Sequence, residues 1–246
     1  MIVRALLLAL ALAAPVHAAA AAPTRAGLTV WPARIRLAAG ATSTIHVTNG
    51  SRRTQVVEAG VAGFVLDLRG DPRIVRVSAG TRLLALRPAR LVLRPGTEAS
   101  FLVGATRPRG VAPGDHPALV VLTARSPGGS GVGVRVRIGV SVEVRVPGTV
   151  RRRLEVRTLR VRRRVLELVV ANRGNVAERI AHGAVVLRLF RRGRLVAVLR
   201  PRPRDLLPQT RGVLEFAVPQ QVRGRVSAAV VVRAGAAETR RFEVAV

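Results

Sequence analysis

The sequence predicts an all-β chain of two β-sandwiches in tandem, and three observations carry that expectation. The first is the stretch Val132 to Val146. Val132, Val134, Val136, Ile138, Val140, Val142, Val144 and Val146 hold every second position, with Gly133, Arg135, Arg137, Gly139, Ser141, Glu143 and Arg145 between them. A period of two turns one row of branched side chains to a buried face and the other to water. The second is the regular return of short apolar runs separated by Gly, Pro and Asn turns, with no run at the 3.6-residue period of a helix. The third is composition: there is no Cys and no Tyr, with one Trp and five Phe. The core must be aliphatic, and the valine that dominates the strongest runs favours strands.

The N-terminus reads as a secretory signal peptide over residues 1–18. Met1 to Arg4 form a short positive region, Ala5 to Ala14 an apolar one, and Val16-His17-Ala18 a small-residue cleavage pattern. The apolar run is shorter than the roughly 20 residues a spanning helix needs, and later apolar runs are broken by arginines. No transmembrane segment is therefore expected in the mature chain, which should lie outside the cytoplasm, periplasmic or extracellular, in association with the cell envelope. Residues 19–26 read as a flexible leader.

The first sandwich is expected over residues 27–147. Its opening segment, LTVWPARIRLAAG, reads as an edge strand with Trp31, Ala33, Ile35 and Leu37 on one side and Arg34 and Arg36 on the other. Pro32 suits an edge or a bulge because it cannot donate to a ladder. Thr42 to Thr48 is the next strand, closed by the turn signal Asn49-Gly50. Thr54 to Val57 and Val61 to Leu68 follow, interrupted by Gly60 and Gly63. Shorter runs stand at Ile74 to Val77, Leu83 to Leu86 and Leu91 to Leu93. In Arg94-Pro95-Gly96, proline sets the first central φ and glycine takes the left-handed second position of a type II turn. Glu98 to Thr106 resumes as strand, Pro108 to Pro117 is a loop, and Ala118 to Ala124 is strand. The alternating run comes last: at roughly 3.4 Å per residue it spans about 50 Å, so it either outruns one sheet or bends.

Pro147-Gly148-Thr149 reads as a hinge, and residues 150–246 as a second sandwich. Arg151 to Val161 and Val165 to Val170 are its first strands, followed by the turn Ala171 to Asn175. Ala184 to Phe190 and Leu195 to Leu199 flank Arg191-Arg192-Gly193-Arg194, a hairpin signal. Pro201 to Pro208 reads as a loop, and Gly212 to Val218, Arg225 to Val232 and Thr239 to Val246 as the closing strands.

The residues that carry chemistry are sparse and scattered. His46, His116 and His182 share no short ligand spacing, so neither metal nor cofactor is expected. Asp67 and Asp71 flank a turn and Glu167 alternates with apolar neighbours, a pattern that ion pairs or solvent explain. Ser43, Ser51, Ser100 and Ser141 have no nucleophile-elbow context. The patch Gly128-Gly129-Ser130-Gly131-Val132-Gly133 lacks the Gly-Lys-Ser/Thr ending of a phosphate loop and precedes a strand rather than a helix. No enzymatic activity is expected. All 42 basic residues are arginine and the formal net charge is +29. Arg151-Arg152-Arg153 and Arg162-Arg163-Arg164 could meet phosphates, yet few aromatics are present to stack bases and no helix to enter a groove, and export removes the chain from cellular nucleic acid. Solvated strand faces or contact with an acidic surface account for the charge better.

Four stretches taken together, VWPARIRLAAGATSTIHVTNGS, LVLRPGTEASFLV, ALVVLTARS and VGVRVRIGVSVEVRVPG, resemble the first domain of the PapD-like periplasmic pilus-chaperone superfamily over about residues 27–147. The second half is similar to a generic immunoglobulin-like domain, with VVANRGNVAERI as its turn motif. The resemblance implies two immunoglobulin-like sandwiches and capture of a subunit by an edge strand of alternating hydrophobic residues. It casts Arg34 as a basic residue of the inter-domain cleft that grips a terminal carboxylate. Val134, Val136, Ile138 and Val140 become the donated row, and Arg135 or Arg137 the second basic anchor. Glu143-Val144-Arg145-Val146 departs from the aromatic-rich close of the family's long strand.

The expected function is that of a non-enzymatic exported envelope protein. Its partner is another envelope or surface protein or an acidic surface polymer. The alternative is a periplasmic chaperone that serves an exported subunit by β-strand complementation.

Overall fold

The computed structural model describes residues 27–76, 78–106, 109–126, 135–181, 183–233 and 238–246. The expected signal segment and leader, the patch Gly128 to Gly133, Val134 and His182 lie outside these residues.

Ten strands build the first sandwich: β1 (Leu28–Trp31), β2 (Arg34–Ala38), β3 (Thr42–Asn49), β4 (Gln55–Leu66), β5 (Pro72–Val75), β6 (Leu84–Arg87), β7 (Arg90–Leu93), β8 (Glu98–Ala105), β9 (Gly114–Arg125) and β10 (Arg135–Val146). A 3-10 turn at Gly80–Leu83 precedes β6. One sheet runs β1-β3-β8-β6, the other β2-β10-β9-β4-β5, with β7 also paired to β4. Inward side chains of both meet in an aliphatic core around the fully buried Phe101, with Ile45 and Val47 from β3, Val120 and Leu122 from β9, and Val140, Val142 and Val144 from β10. The alternation in the sequence is the direct cause: on a pleated strand every second residue reaches that core.

Several expected boundaries shift, each for a physical reason. The opening segment is two strands in different sheets, since β1 pairs antiparallel with β3 and β2 parallel with β10. The crossing at Pro32-Ala33 breaks the phase: Ile35 and Leu37 are buried while Trp31 is 54% exposed, so the four apolar positions do not share a side. Gly60 and Gly63 do not interrupt β4. Gly60 sits in register with Val121, and a Cβ on Gly63 would stand 2.8 Å from a Val75 methyl, so its bareness admits β5. β9 begins four residues before Ala118, with Pro117 beside Glu143 of β10 on one flank. The β4 ladder reaches only Leu119, so the missing N–H of Pro117 breaks nothing there. Asn49-Gly50 does not close a hairpin, because β3 and β4 belong to opposite sheets. Asn49 is itself fully buried: Nδ2 donates to the Arg53 and Leu93 carbonyls, both at 2.9 Å, and Oδ1 accepts from the Ser51 N–H at 3.0 Å.

The second sandwich comprises β11 (Leu154–Arg162), β12 (Val165–Asn172), β13 (Glu178–Ile180), β14 (Val185–Arg191), β15 (Arg194–Leu199), β16 (Arg204–Leu206), β17 (Arg211–Ala217), β18 (Arg225–Val232) and β19 (Glu238–Ala245). Its sheets run β11-β12-β17 and β15-β14-β18-β19, with a small β13-β16 pair. Arg192 and Gly193 both have positive φ, 47° and 75°, and close the expected hairpin between β14 and β15 as a type I′ turn. The expected loop from Pro201 to Pro208 contains β16, because β13 gives Arg204 to Leu206 a strand partner. The two cores share no residue: one draws on residues from Ile35 to Val144, the other on residues from Leu154 to Val232.

Candidate functional site: a free strand edge and the cleft beside it

β10 is central for half its length and an edge for the rest. β9 accompanies it from Arg135 to Val146, but β2 pairs only with Ser141 to Arg145. The Ser141 N–H donates to the Ala33 carbonyl at 3.0 Å, and the Arg145 carbonyl accepts from the Ala39 N–H at 2.9 Å, so the backbone groups of odd-numbered residues point to the β2 side. By the same alternation, those of Gly139, Arg137 and Arg135 point into a flank where no strand lies among the described residues. Side-chain burial changes along the same stretch. Val140, Val142 and Val144 are fully buried, Ile138 is half-buried, and Val136 is 37% exposed.

The predicted site residues therefore divide. Val136 and Ile138 stand on the free half with Arg135 and Arg137, and Val134 lies outside the described residues. Val140 does not belong to an accessible row: it is sealed in the first core beneath the opposite sheet. Arg34 opens β2 beside Ser141. Arg137 lies four residues beyond Ser141 on the unpaired half, roughly 13 Å further at strand rise. Arg145 stands equally far from Ser141 in the other direction, level with Ala38, so along these strands Arg36, level with Glu143, and not Arg135 or Arg137, is the basic residue nearest to Arg34.

The register also assembles an ionic network that the strand pattern alone does not reveal. The Arg34 guanidinium pairs with Asp205 of β16, bridging the two sandwiches. Arg36 Nε lies 3.2 Å from the Glu143 carboxylate. Burial, followed by the nearby negative charge of Asp115, holds the Glu143 carboxyl above its ordinary range against the opposing pull of Arg36 and Arg145. Arg145 forks onto Asp115, its Nη2 at 2.9 Å from Oδ2, and the Asp115 side chain is only 1% exposed. Asp115 Oδ2 also accepts the Ala177 N–H of the second sandwich at 2.7 Å. Asn175 completes this contact: Nδ2 donates to the Pro113 and Thr149 carbonyls, and Oδ1 accepts from the Arg151 N–H.

A second contact closes the far side of the cleft. The tip between β4 and β5 is folded on Asp67, whose Oδ1 accepts the N–H groups of Arg69, Gly70 and Asp71 and whose carboxyl is held low chiefly by those backbone bonds. From this tip the Leu68 carbonyl accepts both the Val213 N–H at 2.7 Å and Arg204 Nη1 at 2.8 Å. Arg69 reaches Glu167 at 3.4 Å and Glu215 at 3.5 Å. Burial pulls the Arg204 guanidinium below its ordinary value.

His46 and His116 make structural contacts. His46 stacks on Trp31 with centroids 4.2 Å apart, and its Nδ1 lies 3.1 Å from Glu98; His116 Nε2 donates to the Ala112 carbonyl. Among the described residues, no group of three or more His, Cys, Asp or Glu side chains is placed to hold a metal ion. No described helix is long and apolar enough to cross a membrane. A cavity of about 650 Å³ opens at the domain junction beside Pro113, Arg151, Asn175 and Gln209, lined by none of the predicted site residues.

No family model matches the chain, and no curated protein matches it by sequence. The fold has counterparts among solved structures. A chain from a chaperone–tip adhesin complex of CFA/I fimbriae biogenesis matches at TM-score 0.53 and 12% identity, over 89% of this chain and 98% of that one. The class 5 fimbriae chaperone CfaA matches at 0.52 and 12%, over the same shares. The YadV chaperone matches at 0.50 and 9%, over 89% of this chain and 100% of its own. The chain has the two-sandwich, PapD-like fold of these pilus chaperones.

Proposed function

We propose that this chain is a non-enzymatic periplasmic chaperone that shields an exported subunit by β-strand complementation, with the free half of β10 as the strand it lends. The observation that carries the reading is the continuation of β10 over Arg135 to Val140 beyond its last pairing with β2, just where Val136 and Ile138 emerge from the core. An extended segment laid along this flank would pair with the backbone groups of Arg135, Arg137 and Gly139. It would also cover Val136 and Ile138. Each ladder bond contributes about 0.5–1.5 kcal/mol net, and complete burial of a Val or Ile side chain about 1.5–3 kcal/mol, so a short strand with matching alternation suffices for stable capture. The likeness to solved fimbrial chaperones supports the same reading through the fold.

Arg34 is the basic group of the cleft in this reading. A subunit's terminal carboxylate reaches it by taking the place of Asp205. Contact with an acidic surface polymer is a second reading, favoured by the net charge of +29. The two differ in salt response, since paired strands resist screening and surface charge contacts do not. Affinity capture of the mature protein from its native envelope separates them. Salt-resistant recovery of one exported protein, lost in Val136→Ser/Ile138→Ser, is expected; broad recovery abolished by salt overturns the chaperone reading.

A further inference from the structure

β15 ends the sheet β15-β14-β18-β19, so one row of its backbone N–H and C=O groups has no strand beside it among the described residues. Exposed edges are ordinarily blunted by charge, proline or a covering element. β15 instead carries Leu195-Val196-Ala197-Val198-Leu199 with no charged residue inside the run, and Leu195, Val196 and Val198 are 53%, 37% and 47% exposed. Register fixes their direction. Leu199 and Ala197 pair with the core-facing Leu187 and Leu189, so Val198 stands beside Arg188 on the outer face; past a bulge, Leu195 stands beside Phe190.

The surroundings give the sign of the occupant. From Arg179 to Arg204 the chain holds eight arginines and no Asp or Glu. Among the described residues no carboxylate pairs with Arg188, Arg192, Arg194 or Arg200. A second copy of this chain would set two such basic edges against each other, which repulsion disfavours. An anionic bilayer would take up the charge and the aliphatic side chains but leave the backbone row unpaired in a medium that penalises it. An acidic extended segment satisfies all three features together.

We infer that β15 is a second docking edge, separate from β10, that accepts by strand addition an extended segment of another protein in which acidic and aliphatic side chains alternate. The edge pairs the segment's backbone, Leu195 and Val198 cover its aliphatic side chains, and the flanking arginines meet its carboxylates.

The test uses the full mature chain and an acetylated, amidated seven-residue peptide alternating Glu and Val, read by residue-resolved amide hydrogen exchange. Saturable binding with slowed exchange across 194–199 is expected, weakened at least tenfold in Arg188→Glu/Arg194→Glu. Val198→Pro, which removes an edge N–H, should lose the protection at β15 while circular dichroism confirms the fold. Leu195→Ser/Val198→Ser is the second variant should the proline unfold the hairpin, and it should weaken binding likewise. Protection confined to Arg135 to Val140 overturns the inference while leaving the β10 reading intact. Binding to phosphatidylglycerol vesicles without binding the peptide, or self-association through β15, also overturns it.

Discussion

Asn49 of the first sandwich and Asn172 of the second make three equivalent side-chain hydrogen bonds. Each is fully buried at the end of a strand, and each donates from Nδ2 to the carbonyl four residues on and to a leucine carbonyl in a distant turn. For Asn49 these acceptors are Arg53 and Leu93; for Asn172 they are Val176 at 2.8 Å and Leu206 at 3.1 Å. Both Oδ1 atoms accept the N–H two residues on, from Ser51 and from Gly174. The turns they grip also correspond: Leu93-Arg94-Pro95-Gly96-Thr97 matches Leu206-Leu207-Pro208-Gln209-Thr210, with positive φ at both Gly96 and Gln209. One buried amide thus pins a loop crossing in each sandwich.

Asn172→Ala should therefore destabilise the second sandwich by about 3 kcal/mol, because two buried carbonyls lose their donor, and Asn49→Ala the first by less, because the Arg53 carbonyl keeps the Ser51 hydroxyl at 2.9 Å. Asn49→Asp should not rescue, since a carboxylate sets an acceptor against those carbonyls. Denaturant unfolding midpoints of the single variants measure this.

The division of β10 into a core half and an edge half gives a contrast between neighbours. Val140→Ser should cost about 2–4 kcal/mol, through a lost core side chain and a buried hydroxyl. Val136→Ser should cost under about 1 kcal/mol, because that side chain is already partly in water. Capture of the subunit should show the reverse order in the folded fraction, with Val136→Ser and Ile138→Ser the more harmful. Equal capture by wild type and Val136→Ser/Ile138→Ser would remove the free edge from the site.

Arg34→Ala should lower partner affinity with little change in melting temperature, since an exposed ion pair contributes at most about 1 kcal/mol to folding. Asp205→Asn should raise affinity for a partner ending in a free carboxylate and not for its amidated form. Titration calorimetry with both forms of the captured partner checks this.

Asp115→Ala should loosen the junction between the sandwiches. It leaves Arg145 without its carboxylate and the Ala177 N–H without an acceptor, which together cost about 2–3 kcal/mol. Faster proteolysis between Pro147 and Arg153 and a larger radius of gyration in solution scattering are the expected readouts.

Burial holds the carboxyls of Glu143 and Glu178 above their ordinary value of 4.5. A carboxyl that binds its proton more tightly folded than unfolded contributes its stabilisation fully below the unfolded value and loses it as pH rises through the folded one. The melting temperature of Glu143→Gln/Glu178→Gln relative to wild type should accordingly increase as pH is raised from about 4.5 to 7. A flat difference across that range contradicts the burial argument.

The sequence by itself determined the all-β class, the aliphatic core and, in runs such as Val140 to Val144, which residues face inward, because a period of two is a local property of the pleated backbone and needs no knowledge of neighbours. Val136 and Ile138 entered only through the family resemblance, as part of a row with Val134 and Val140. The sequence did not show that Trp31 and Ile35 belong to opposite sheets, that Asn49 bolts a crossing rather than turning a hairpin, or that Val140 is sealed while Val136 is not. Nor did it place Arg34 beside Asp205 instead of Arg137. Those facts depend on pairing between segments far apart in the chain, such as Arg34 with Ser141. Many strands of similar valine-rich alternation could satisfy one another's ladder bonds, and only the simultaneous closure of both sandwich cores selects which of them meet.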